Sequence, residues 1–265
     1  MLAAAYVDRV RREWGLNMRV GEILTQLQGV VVDYSFSEPA DNLCYDDVLL
    51  QLAESGDIPC ALRFWESPIP FIVLGRSGTV EDDLFTDAVM QAAVPVYRRS
   101  SGGGTVVQGP GCLNYALVIP KQKIWRDVRA SYADISNWLL EGLATCGIQG
   151  TYEPISDLAL NGMKFSGNAQ RRGRNHILQH GTILYDFPLS KIAAWLAQPQ
   201  AQPPYRADRS HEAFVTNVDV DCRLLKTSLA RAFPKPPKQE PLPGFRDALD
   251  RQQGWGRVKK LDIAS

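Results

Sequence analysis

Apolar positions along the chain fall into short runs bounded by glycine, proline and asparagine, the pattern of strands and turns, with longer stretches at helical spacing between them. Val30 to Phe36 reads as a strand, and Asp41 as the N-cap of a helix carrying Leu43, Val48, Leu49 and Leu50. Ala61 to Trp65 and Phe71 to Leu74 are apolar strands separated by Ser67-Pro68-Ile69-Pro70, a turn that its prolines stiffen. Glu81 to Ala93 suits a helix, Val94 to Tyr97 a buried strand, and Leu113 to Ile119 another. From Trp125 to Cys146 the residues Val128, Tyr132, Ile135, Trp138, Leu139 and Leu143 recur at helical spacing, ending at Gly147. Asn161-Gly162, between Leu158 to Leu160 and Lys164 to Ser166, is the strongest short hairpin signal in the chain. Ile177 to Tyr185 is a further strand and Ser190 to Leu196 a short helix. Beyond Asn217 lie a short helix through Leu225 and Leu229, the stretch PKPPKQEPLPG, which reads as a linker or extended arm, and an amphipathic segment from Phe245 to Val258. At the other end Tyr6, Val10, Trp14 and Leu16 fit one side of a helix within residues 1–29.

A chain of 265 residues can bury a sizeable core as one large or two small domains. Its 29 basic and 29 acidic side chains cancel, so nothing calls for nucleic acid or an anionic membrane surface. The cysteines, Cys44, Cys60, Cys112, Cys146 and Cys222, are scattered with no CxxC pair, which argues against zinc and against a secreted disulfide framework. No apolar run approaches the roughly 20 residues of a membrane helix. The opening MLAAAYVDRVRREWG reverses the order of a signal peptide, so the expected setting is cytoplasmic.

Two stretches carry candidate chemistry. In RRSSGGGTVVQGPGCLN, Arg98 to Asn114, three glycines lead into β-branched residues. Such a turn brings backbone close to a ligand, its amides can converge on an anion, and Arg98 and Arg99 add charged forks suited to carboxylate or phosphate. A hairpin turn with solvated arginines accounts for the same residues. In the second stretch, Lys164 follows a rigid turn, so its ammonium is aimed. His180, between Leu178 and Thr182, is either a base or a core histidine with both nitrogens satisfied.

RRSSGGGTVVQGPGCLNYALVI and SDLALNGMKFSGNAQRR…LQHGTIL resemble the RRxSGGGxVxHDxGNLNxS and NDLxxxGxKxSGxAQ…HGTLL segments of the lipoate-protein ligase A family, from about Tyr34 to Asn217. The resemblance implies an α/β fold with a mixed, largely antiparallel sheet packed with helices, as in the class II synthetase-like catalytic domains of biotin and lipoate ligases. That domain would occupy residues 30–220, with 1–29 a helical extension and 221–265 a proline-rich arm and helix instead of the family's full C-terminal domain. The implied activity uses ATP and Mg2+ to convert lipoate or octanoate to an acyl-adenylate, then acylates a lysine of a lipoyl-carrier domain. A small accessory subunit is a further implied partner.

Lys164 takes the place of the family's essential lysine, bridging the acyl carboxylate and the α-phosphate, and Asp157 that of an acidic residue that holds Mg2+ or orients the lysine. Arg98, Arg99, Ser101, Gly102, Gly103, Gly104, Asn114, Gly167, Asn168, Gln170 and His180 fall in the implied substrate and nucleotide motifs, with Tyr97 and Val106 expected near the acyl channel. The chain departs from the family pattern at Gly78, where a glutamine is usual, at Ser156, at Gln108-Gly109, which replace His-Asp, and at Cys112, which replaces asparagine. Cys112 is either a packing residue or a thiolate nucleophile that would make the protein an acyltransferase drawing on a carrier thioester. Octanoyltransferases that resemble the family place their cysteine shortly before the segment equivalent to Pro154 to Leu158, where this chain has GIQGTYEP. A non-catalytic lipoyl-domain-binding protein is the reading outside catalysis.

Overall fold

A computed structural model describes residues 19–254 and 258–263; the helix expected from Tyr6, Val10, Trp14 and Leu16 lies outside the described residues. Strands β1 (Val30–Asp33), β2 (Ala61–Trp65), β6 (Cys112–Pro120), β10 (His176–Leu184), β9 (Met163–Arg172), β8 (Asp157–Leu160) and β7 (Thr151–Glu153) lie side by side in that order in one seven-stranded sheet. Only the β1–β2 pairing is parallel. A second sheet of four strands has the order β11 (Lys259–Lys260), β4 (Val96–Arg98), β3 (Phe71–Leu74) and β5 (Val106–Gln108).

The alternation of β6 sets the layers. Leu113, Tyr115, Leu117 and Ile119 face helices α1 (Val20–Leu27), α5 (Val128–Ala144) and α8 (Cys222–Ala230), meeting Leu24, Ile135, Leu139, Leu225 and Leu229 in the main core. Ala116 and Val118 face the other way, towards α2 (Pro39–Ser55) and α9 (Phe245–Gly254), through Tyr45, Val48, Leu49 and Ala248. With helices on both faces, the central strands need apolar residues on both sides, which is why they read as near-continuous hydrophobic runs.

The structure moves several expected boundaries. The helix expected from Glu81 to Ala93 is two, α3 (Val80–Asp83) and α4 (Thr86–Gln91), because Leu84 leaves the helical path to bury itself and bridge to Leu196. Asp41 is not the N-cap of α2; that helix begins at Pro39, whose fixed φ suits a first turn, and Asp41 sits inside it. Val128 opens α5 behind the capping Asp127 and is exposed, outside the apolar face. The proline-rich stretch runs along β1, where the Lys238 amide donates to the Val31 carbonyl (2.9 Å) and the Asp33 amide to the Lys238 carbonyl (2.8 Å). It thereby covers a sheet edge. Among the described residues no helix is long and apolar enough to cross a membrane.

Candidate active site

Asn161 and Gly162 both adopt left-handed backbone, at φ +52° and +74°, as a tight hairpin between β8 and β9 requires. The pairing places Lys164 opposite Ala159, and a bulge at Leu158 and Ala159 then brings Gly167 opposite Asp157. This irregularity re-aims the lysine towards the aspartate. Lys164 Nζ lies 2.7 Å from Asp157 Oδ1, and Asp157 Oδ2 accepts from the Tyr205 hydroxyl at 2.9 Å. Burial, and secondarily the Asp157 carboxylate, push the Tyr205 pKa up, so the phenol stays a donor. Gly167 leaves the space the lysine crosses, since a Cβ there would stand 3.0 Å from Lys164 Cε and Nζ.

The two arginines before the glycine turn hold the loop from within. Arg98 donates to the carbonyls of Gly75, Arg76 and Gly78, and Arg99 to those of Val73, Gly102 and Gly104 and to Ser101 Oγ. Burial lowers the Arg99 pKa to about 10, which leaves it charged at neutral pH. Gly75 packs directly beneath the turn: a Cβ there would lie 1.9 Å from the Gly103 carbonyl oxygen. Gly75→Ala must therefore displace one loop, and its expected cost is about 1–3 kcal/mol, read as a lowered urea midpoint at unchanged slope.

One row across the large sheet runs Arg63, Ala116, His180, Ala169. The small Ala116 leaves room for Asp46 of α2 to reach both neighbours. Its Oδ1 lies 2.7 Å from Arg63 Nη1 and its Oδ2 3.3 Å from His180 Nδ1. His180 Nε2 stands 2.7 Å from Ser101 Oγ, which also accepts from Arg99 Nε at 3.0 Å. Each ring nitrogen of His180 therefore has a polar partner, Asp46 at Nδ1 and Ser101 at Nε2.

Two cavities meet at Lys164. A smaller one of about 120 Å³ lies between the two sheets, over Trp65, Asn114 and Thr182 and under Val106 and Gln108. A larger one of about 460 Å³ continues past Ile155, Pro203, Arg206 and His211. Gly104, Val106, Asp157, Lys164 and Gly167 border both. Of the expected residues, Arg99, Gly103, Asn114, Asn168 and His180 also line the smaller cavity.

Others are not brought there. Arg98 and Gly102 belong to the loop's internal bonding and Ser101 ties the loop to His180, while Gln170 turns towards α5 and bonds Ser131, Arg172 and Gln179. Cys112 faces the core of the second sheet among Ile72, Leu74, Val107 and Leu184, and burial raises its thiol pKa. Tyr97 packs with Leu43, Trp65 and Phe71, behind the wall that Val106 presents. Asp157 has both oxygens engaged, and among the described residues no group of three or more His, Cys, Asp or Glu side chains could hold a metal. Asp46, Arg63, Trp65 and Tyr205 escaped the sequence reading. The available signal was a lone arginine within ALRFW and two acids within the apolar run of α2.

Residues 38–229 match the family described as "Lipoyl protein ligase A/B catalytic domain". "Probable lipoate-protein ligase A" of Mycoplasma pneumoniae is 27% identical over 180 residues, covering 68% of this chain and 52% of that one. "Octanoyltransferase LipM" of Oceanobacillus iheyensis is 29% identical over 164 residues, 55% of this chain and 60% of that one. The chain thus spans between half and three-fifths of the length of these two relatives. Among solved structures, a bi-partite lipoate protein ligase from Thermoplasma acidophilum aligns with a TM-score of 0.70 at 20% identity, covering 84% of this chain and 91% of that one. A lipoate-protein ligase A bound with ATP aligns at 0.71 and 19%, covering 84% and 93%. At such identities the likeness is one of fold.

Proposed function

This chain belongs to the lipoyl protein ligase A/B catalytic-domain family, and we propose that within it the chain works as a ligase, activating lipoate or octanoate with ATP and passing the acyl group to a lysine of a lipoyl-carrier domain. The observation that carries this reading is the position of the Lys164 ammonium, at the border of both cavities. An acyl carboxylate and an α-phosphate repel each other as they approach, and a cation between them offsets that repulsion and stabilises the charge at five-coordinate phosphorus. Asp157 and Gly167 fix the lysine for that task. The larger cavity has the volume of a small-molecule site, and the smaller is mixed in character, with Leu43, Val106 and Ala169 beside Arg99, Asn114 and Asn168. In the second step the carrier's amine attacks the mixed anhydride and AMP leaves, with no nucleophile required of the enzyme. Both Asp157 oxygens already have a protein partner, Lys164 and Tyr205, and among the described residues no second carboxylate joins it in a metal-binding group.

The LipM relative's name, an octanoyltransferase, favours a second reading, octanoyl transfer instead of ligation, which the sequence resemblance would route through a cysteine and a carrier thioester. Against it, none of the five cysteines is among the residues lining either cavity. Burial also raises the pKa of Cys44 and Cys60 to about 12 and raises that of Cys112, so these thiols are protonated at neutral pH. Cys112→Ala is expected to acylate a carrier domain with ATP at the wild-type rate. Loss of transfer in a folded Cys112→Ala protein would restore the thioester reading.

A further inference from the structure

Tyr205 lies in none of the motifs that the sequence singles out, yet it completes a chain of three side chains at the site. Its hydroxyl donates to Asp157 Oδ2 at 2.9 Å, and Asp157 Oδ1 lies 2.7 Å from Lys164 Nζ. The tyrosine comes from a proline-rich segment, residues 197–210, and stands 48 positions along the chain from the aspartate. From there to Thr216 the chain is fastened to the same β8–β9 hairpin. Arg209 donates to the Gly162 carbonyl (2.9 Å) and to the Tyr205 carbonyl (2.8 Å), and the Thr216 amide donates to the Lys164 carbonyl (2.8 Å). The Tyr205 ring rests against Phe214, with centroids 5.0 Å apart, so the hydroxyl is presented by a held ring.

A lysine is a compact charge on a flexible four-carbon stem, and the Lys164 side chain is 27% exposed. The last torsion of an aspartate is broad and roughly two-fold, so a carboxylate held at one oxygen alone can swing. With Oδ2 taken by Tyr205, that rotation is fixed and Oδ1 is left for the ammonium. We propose that Tyr205 is a positioning residue for Lys164, acting through Asp157 to fix where the ammonium stands. The inference rests on the ligase reading for what the lysine does there, and on the geometry for how it is held. The rival role for the hydroxyl is to pin its segment over the larger cavity, which Pro203, Pro204 and Arg206 help to line.

Tyr205→Phe keeps the ring on Phe214 and removes only the hydrogen bond. In the full chain, assayed with lipoate, ATP, Mg2+ and an apo carrier domain, its kcat should fall about 10–100-fold while KM for lipoate and for ATP moves less than about twofold. In an Asp157→Ala background the same change should have no further effect, because the route to the lysine is already broken. A raised KM at unchanged kcat, or a loss that persists without Asp157, would overturn the proposal in favour of pinning. Should the wild type show no ATP-dependent transfer, the ligase reading falls by itself, and the rate at which acetic anhydride acetylates Lys164, located by peptide mass mapping, decides how the lysine is held. That rate should rise several-fold in Tyr205→Phe, and an unchanged rate would overturn the positioning role.

Discussion

Lys164→Ala should lower ATP-dependent acyl transfer by about 10²–10³-fold or more while leaving the protein folded. Among the described residues, Lys164 is the one Lys or Arg that lines both cavities. Its loss removes the charge that would join the two substrates. Stability should change little, because a pair with a lysine this exposed contributes at most about 1 kcal/mol. Lys164→Arg should not rescue transfer. A planar guanidinium cannot stand in for a compact ammonium, and the neighbouring Gly167 backbone leaves little width for it. Transfer rate and melting temperature, measured together on both variants, separate a chemical role from a structural one.

Asp46→Ala should produce the largest loss of stability of any single change considered, about 3–5 kcal/mol. Arg63 is fully buried, and burial alone lowers its pKa; Asp46 supplies the opposing charge at 2.7 Å. Without Asp46 the guanidinium keeps only the Asn42 side chain and the carbonyls of Asn42 and Tyr34, together with ring contacts such as Tyr45. A neutral acceptor does not offset a buried charge, so the native state itself rises in free energy. Asp46→Asn, which keeps the shape, should fall between wild type and alanine in a urea titration. In Asp46→Ala, His180 also loses its Nδ1 partner, so acyl transfer by the folded fraction of that variant should decline as well.

What the sequence made legible, and what it did not, follows from distance along the chain. Lys164 and Asp157 are joined by one hairpin, and the Asn161-Gly162 turn announces that hairpin without reference to anything remote. The Asp46, Arg63 and His180 cluster draws on α2, β2 and β10, and only the sheet register that places Ala116 between Arg63 and His180 brings it together. The glycine turn was visible as a turn, but whether its arginines face a ligand or the loop's own carbonyls depends on how β3 runs beneath it. Cys112 was ambiguous because its face of β6 is decided by the second sheet, which packs Ile72 and Val107 against it. The Glu81 to Ala93 segment has the composition of one helix, and the bridge that breaks it comes from Leu196, more than a hundred residues further along the chain.

The most direct test of the ligase reading is the intact mass of an apo lipoyl domain after incubation with this protein, lipoate or octanoate, and Mg2+, with and without ATP. A gain of one acyl group only when ATP is present is the predicted result. A gain without ATP when the acyl group is supplied as a carrier thioester, and none with the free acid and ATP, would contradict it.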